Sequence, residues 1–163
     1  WTPGPDLEPY AKGAVFGFGD VHTRAHLYRA ILEGIVFAMK DGAQLTQKKT
    51  GVPIVELRAT GGGSRSDSIM QMTADIFDLP VYRPHTPETS VIGAAMDAAV
   101  GMGVYSDITQ AAGHMTQRAE EFSPDPATRD LYGELYERVY SKTYGQLRPL
   151  YKEIQKITGY PKL

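Results

Sequence analysis

"LRATGGGSRSDSIM", residues 57–70, sets three consecutive glycines between an apolar run and a helical pattern. Glycine loses more backbone freedom on folding than any other residue, so three in a row need a physical reason. Upstream, "IVELRAT" (54–60) is short, apolar and β-branched, which predicts a strand. Downstream, Ile69, Met70, Met72, Thr73, Ile76 and Phe77 recur at helical spacing. Ser64 is expected to cap that helix, with Asp67 three positions later completing a capping-box arrangement. A bare turn at a helix start offers backbone N–H groups beside the positive end of the helix dipole, and a flat ligand can lie against it. The stretch lacks the lysine of G-x-x-x-x-G-K-[ST] and the spacing of G-x-G-x-x-G, so neither a P-loop nor a dinucleotide fingerprint is supported. From the residues alone two readings stand: a nucleotide seat, and a strand-to-helix connection that simply needs positive φ.

Working outward, residues 1–13 are rich in proline and glycine and read as an extended entry segment. "GAVFGF" (13–18) reads as a brief strand or loop. From Thr23, Leu27, Ala30, Ile31, Gly34, Ile35, Ala38 and Met39 predict a long, mostly buried helix ending near "KKTG". "LPVYRP" (79–84) is a second strand whose prolines suggest a sheet edge. "TPETSVIGAAMDAAVGMG" (86–103) is a helix with a glycine and alanine face. Residues 107–115 form a small helix, and "QRAEEFSPDP" (117–126) an extended segment ending in a turn. From Thr128 a terminal helix carries Tyr132, Tyr136, Tyr140 and Tyr144, and Pro149 is expected to kink or restart it. Strands alternating with helices predict an α/β layer architecture. Two convincing strands make a thin sheet, so further strands are expected upstream of Trp1.

The 163 residues, 42% hydrophobic and 22% charged, suit one packed domain. Seventeen basic residues nearly balance nineteen acidic ones, giving a net charge of −2 that gathers neither nucleic acid nor an anionic membrane. The longest apolar stretch, Ala30 to Met39, contains Glu33 and is too short to cross a bilayer. No cysteine is present, which suits a reducing cytoplasm and excludes thiolate chemistry.

"GGGSRSDSIMQMTADIFDLPVYRPHTPETSVIGAAMDAAVGMG" (61–103) resembles the segment of FGGY-type carbohydrate kinases in which a glycine-rich turn binds adenosine and a downstream "ETxxxGAA" helix closes the domain. "PYAKGAVFGFGDVHTRAHLYRAILEGIVFAMKDG" (9–42) is similar to the family's second signature region, with Phe18 where an aliphatic residue is usual. The resemblance implies an actin-like ATPase fold of the ribonuclease H type. This chain is then the C-terminal domain, lacking its first strands. It also implies ATP and Mg2+ as cofactors, ATP or ADP as the bound nucleotide, and a sugar or polyol held mainly by an N-terminal domain. By position, Gly61, Gly62 and Gly63 would pack against ribose and adenine, and Ser66 would contact the adenine edge where many members carry asparagine. Ser64 and Arg65 would touch the nucleotide, although capping and solvation explain them equally well. The family's aspartate base and its Gly-Thr-Ser-like phosphate turn have no counterpart here, so no catalytic residue is assigned and the isolated chain is expected to be inactive. Unpaired strand edges would favour a homo-oligomer. The rival function, from another class, is a noncatalytic actin-like module that senses nucleotide or binds a protein partner.

Other candidates weigh less. His22 and His26 stand one helical turn apart and Glu33 follows seven positions later, a spacing that would let all three hold a metal. Without an H-E-x-x-H glutamate they read first as helix-start residues, and no metal ligand is assigned. The tyrosine series reads as a packing stripe before a sugar platform. Gly93, Ala94, Ala95, Ala98 and Ala99 mark either a hinge against another domain or tight helix packing. Asp75, Asp78 and Asp97 read as solvent-exposed helical carboxylates.

Overall fold

A computed structural model describes residues 11–86 and 88–160. Most of the expected entry segment at 1–13 lies outside them, and 11–16 carry no regular structure. "GAVFGF" forms no strand. The chain divides into two compact units, Ile54–Pro126 and Trp1–Pro53 with Ala127–Leu163.

The Ile54–Pro126 unit is built on β1 (Leu57–Arg58), β2 (Val81–Pro84) and β3 (Arg118–Phe122), in the order β1-β2-β3. β1 runs parallel to β2 with Leu57 opposite Val81, and β2 runs antiparallel to β3 with Val81 opposite Phe122. The expected edge strand is therefore central, and "QRAEEFSPDP" supplies a third strand. The prolines allow this because they bracket β2. Pro80 precedes it and uses only its carbonyl, which accepts from Leu57 N, while Pro84 closes it where the register with β3 shifts. β1 is shorter than the run 54–60, since only Leu57 and Arg58 pair with β2.

Helix α2 (Asp67–Phe77) lies on one face of the sheet. Its Met70 and Ala74 join Val81 and Phe122 in the core, with Leu57 and Ala59 packed against them. Asp78 ends α2 in the left-handed conformation, φ 55°, a role that short carboxylate side chains tolerate. Asp75 departs from expectation. It is buried, and its Oδ1 accepts from Gln71 Nε2 at 2.8 Å and from Asp125 N at 2.8 Å, so it ties α2 to the segment after β3. Helices α3 (Thr89–Gly101) and α4 (Ile108–Met115) pack together, and Asp107 Oδ1 caps α4 by accepting from Gln110 N. On α3, Ala94, Ala95 and Ala98 are exposed, and a Cβ at Gly93 would meet no atom within 4 Å. Packing within the unit therefore does not require these small residues.

The second unit holds α1 (Arg24–Thr50), α5 (Pro126–Leu135), a π segment (Tyr136–Tyr140) and α6 (Ser141–Thr158). Thr23 opens α1 where expected, its N–H donating to His26 Nδ1 at 3.0 Å, and Gly51 ends it at φ 70°. Of α1, only Val36, Phe37 and Ala38 are buried, whereas Tyr28, Ile31, Ile35 and Met39 are exposed. The helix is apolar on more sides than its neighbours cover, which corrects the expectation of a mostly buried helix. Phe37 packs edge-on against Tyr132 and tilted against Tyr136 and Tyr140, at 4.9–6.1 Å between ring centroids. Three of the four tyrosines thus form the expected packing stripe, whereas Tyr144 is exposed and its ring pairs with Tyr151 instead. A four-residue period drifts around an α-helix, but the wider i→i+5 turn of the π segment takes a smaller angular step per residue and offsets that drift. The irregularity falls at 136–140, and α6 continues through Pro149.

Phenol groups carry the polar links here. Arg29 Nη2 donates to Tyr132 Oη at 2.9 Å, and Tyr132 Oη donates to Glu33 Oε1 at 2.7 Å. Tyr136 Oη donates to Asp41 Oδ1. Burial, then that bond to Asp41, pushes the Tyr136 phenol above its ordinary range, and burial raises Tyr140 as well.

Candidate functional site

The three glycines form an exposed corner between β1 and α2. Gly61 has φ 84° and ψ −167°, a region open essentially to glycine alone. Gly62–Arg65 then make one 3-10 turn, in which Ser64 N donates to Gly61 O at 3.2 Å and Ser66 N to Gly63 O at 3.2 Å. Ser66, rather than the expected Ser64, stands at the N-cap of α2, and its side chain makes no capping hydrogen bond. The extra 3-10 turn moves the helix start two residues on. Asp67 consequently lies in the first turn of α2, where its carboxylate pairs with Arg83.

Ser64 is buried, and its hydroxyl donates to Gly61 O at 2.8 Å, so it shapes the turn from inside. Arg65 is exposed, with Glu88 at 3.7 Å. Gly61, Gly62 and Gly63 are exposed, and a Cβ built on any of them would meet no atom within 4 Å. The reasons for bareness therefore differ along the corner. Gly61 is required by its backbone conformation. Gly62 and Gly63 have neither positive φ nor a crowding neighbour, so nothing within the fold demands glycine there.

Sequence reasoning passed over Arg83. Its Nε donates to Ser64 O at 2.6 Å, Nη2 to Asp67 Oδ1 at 2.5 Å and Nη1 to Glu120 Oε2 at 2.5 Å. The available signal was strand alternation: Arg83 shares a face of β2 with buried Val81, and an arginine on a core face must find acceptors. Beside the ends of β1 and β2 a cavity of about 400 Å³ is lined in part by Arg58, Thr60, Tyr82, Thr89, Thr116 and Gln117, and its lining includes none of the residues from Gly61 to Ser66.

The metal candidates are accounted for locally. His22 Nδ1 accepts from Gly19 N at 2.9 Å, His26 Nδ1 closes the first turn of α1, and Glu33 pairs with Arg29 and Tyr132. Among the described residues, no group of three or more histidines and carboxylates is arranged to hold a metal ion.

The profile of the FGGY family of carbohydrate kinases, C-terminal domain, matches residues 3–102, more than half of the chain. The chain belongs to this family. A glycerol kinase from Dechloromonas aromatica (strain RCB) is 43% identical over 103 residues, covering 63% of this chain and 20% of that protein. A glycerol kinase from Koribacter versatilis (strain Ellin345) is 38% identical over 120 residues, covering 74% of this chain and 24% of that protein. The crystal structure of xylulose kinase from Rhodospirillum rubrum superposes with a TM-score of 0.77 at 32% identity, covering 89% of this chain and 29% of that one. The expected fold class is borne out: this FGGY chain has the actin-like ATPase architecture, mostly helical with a small sheet, as a partial domain does. It spans about a fifth to a quarter of the length of the curated relatives it matches. No described helix is long and apolar enough to cross a membrane.

Proposed function

We propose that this chain is the nucleotide-binding C-terminal part of a cytoplasmic carbohydrate kinase that transfers the γ-phosphate of ATP to a hydroxyl of a sugar or polyol. Family membership supports the reaction class. The observation that carries the nucleotide seat is the pair Gly62 and Gly63, bare toward open space although their own fold would accept a Cβ at either. A flat purine nucleoside laid against the corner supplies the missing reason, because any Cβ there would stand between backbone and ring. Gly61 gives the corner its shape, Ser64 braces it from inside, and Ser66 and the N–H groups at the start of α2 face the ligand's polar edge. Arg65 stands at the rim.

Among the described residues no three histidines or carboxylates are grouped to hold a metal ion, and we assign Mg2+ to none of them. In the whole kinase it enters with the phosphates of ATP, which other parts of the protein hold, as they do the sugar or polyol. This chain therefore binds and orients but does not transfer phosphate by itself, and its glycine and alanine face on α3 is where the remainder closes. In isolation, the edge of β1 that β2 does not cover favours self-association. Phosphorylation assays across polyols and ketoses test the reading. A longer protein containing this chain is expected to consume ATP with at least one of them while the 163-residue chain consumes none, and transfer by the short chain would contradict the proposal.

A further inference from the structure

A preformed binding corner needs something to hold it while it is empty, and glycines resist ordering more than any other residue. The Ser64 hydroxyl braces the turn from inside, and a second brace from outside would fix it against the neighbouring elements. Arg83 is placed to supply it. From β2 its guanidinium reaches the backbone carbonyl of Ser64 inside the 3-10 turn, the Asp67 carboxylate on α2 and the Glu120 carboxylate on β3. Its flat face lies 5.0 Å from the Phe122 ring centroid, and the side chain is 22% exposed. Three acceptors on three elements, with the ring beneath, leave the fork one orientation.

The two contacts at the corner do different things. The bond to Ser64 O fixes the peptide plane that leads into Arg65 and Ser66, and so the direction of the turn. The pair with Asp67 neutralises a carboxylate in the first turn of α2, where a free negative charge would repel an electron-rich ligand atom approaching the helix start.

The geometry points to Arg83 as the positioning residue of the glycine corner: it holds the turn open and its helix start uncharged before any ligand arrives. The ligand half of this statement rests on the nucleotide seat proposed above. The bracing half does not.

Amide hydrogen exchange separates the two halves. In the 163-residue chain, Arg83→Met should speed exchange at the Ser64 and Ser66 amides about tenfold or more, the scale of a lost charge-assisted hydrogen bond, while the core amides of Ala74 and Ile76 stay within about twofold. Arg83→Lys should behave like Arg83→Met, since one ammonium cannot bridge the same acceptors, and it keeps a cation over Phe122 should the methionine variant fail to fold. Glu120→Gln should leave Ser64 and Ser66 within about twofold, because the other two contacts survive. Adenine-nucleotide affinity should weaken in the Arg83 variants together with the faster exchange. Exchange that rises equally in corner and core, or in neither, overturns the proposal. If the parent chain binds no adenine nucleotide while exchange rises selectively at the corner, the seat fails and the brace stands. If nucleotide binding is intact in parent and variants alike with exchange unchanged, the brace fails and the seat stands.

Discussion

Gly61 and Gly62 are chemically identical neighbours with opposite expected responses to the same substitution. Gly61→Ala forces a Cβ into the glycine-only region at φ 84° and should lower stability by about 1–3 kcal/mol in urea unfolding. Gly62→Ala meets open space at ordinary φ and should stay within about 0.5 kcal/mol of the parent or gain slightly, because the unfolded chain loses freedom. Equal losses at both positions would mean that the corner is packed on a side the structure leaves open. Tyr136 offers a pH test. Its phenol is raised by burial and by donation to Asp41, so the fold favours the neutral form. The sign follows: that stabilisation is complete below about pH 10, the ordinary tyrosine value, and is lost as pH climbs through the raised value. Absorbance titration should show phenols ionising above the free-tyrosine range, with part of that late fraction missing in Tyr136→Phe. A parent curve that follows free tyrosine would contradict the burial. At this scale the glycines were legible, because backbone permissiveness is written in the residue type. Arg83 and Asp75 were not, since the partners of Arg83 stand 16 to 37 positions away and Asp125, which binds Asp75, stands 50 away. A lone charged residue reads as solvated until those partners are known.

Helix boundaries carried their own local signals. Thr23 and Gly51 bound α1 and Asp107 opens α4, each through contacts within four residues, which is why spacing and capping residues located them. The strands were harder. "LPVYRP" looked like an edge because proline cannot donate to a ladder, yet both prolines fall at its ends, and three clean positions are enough for two partners. "QRAEEFSPDP" became β3 because β2 offered an open side, a tertiary fact that local propensity does not hold. The π segment was equally unreadable, although its purpose is visible afterwards: it keeps Tyr132, Tyr136 and Tyr140 on the side of Phe37. Phe37→Ala should therefore destabilise the unit that holds α1, α5 and α6 by about 3 kcal/mol and flatten the near-ultraviolet tyrosine signal. An unchanged signal would show that the stripe packs without it.

At the scale of the whole molecule, the described residues form a sheet of three short strands, and the chain spans 20–24% of the length of its glycerol kinase relatives. The family was legible because its signature lies in local, ordered motifs from the second signature region to the "ETSVIGAA" helix, a stretch that overlaps the profile match at 3–102. Substrate choice was not legible, since the proposed reading places the sugar or polyol on other parts of the protein. The central claim is that the bare corner seats a purine nucleoside, and isothermal titration of ADP and ATP into the parent chain and Gly62→Val tests it most directly. Because a Cβ at Gly62 meets no atom of the fold within 4 Å, the variant should keep the parent's unfolding midpoint while its nucleotide affinity falls about tenfold or more, the cost of an overpacked contact. Equal binding by the two proteins, or binding by neither, would contradict it.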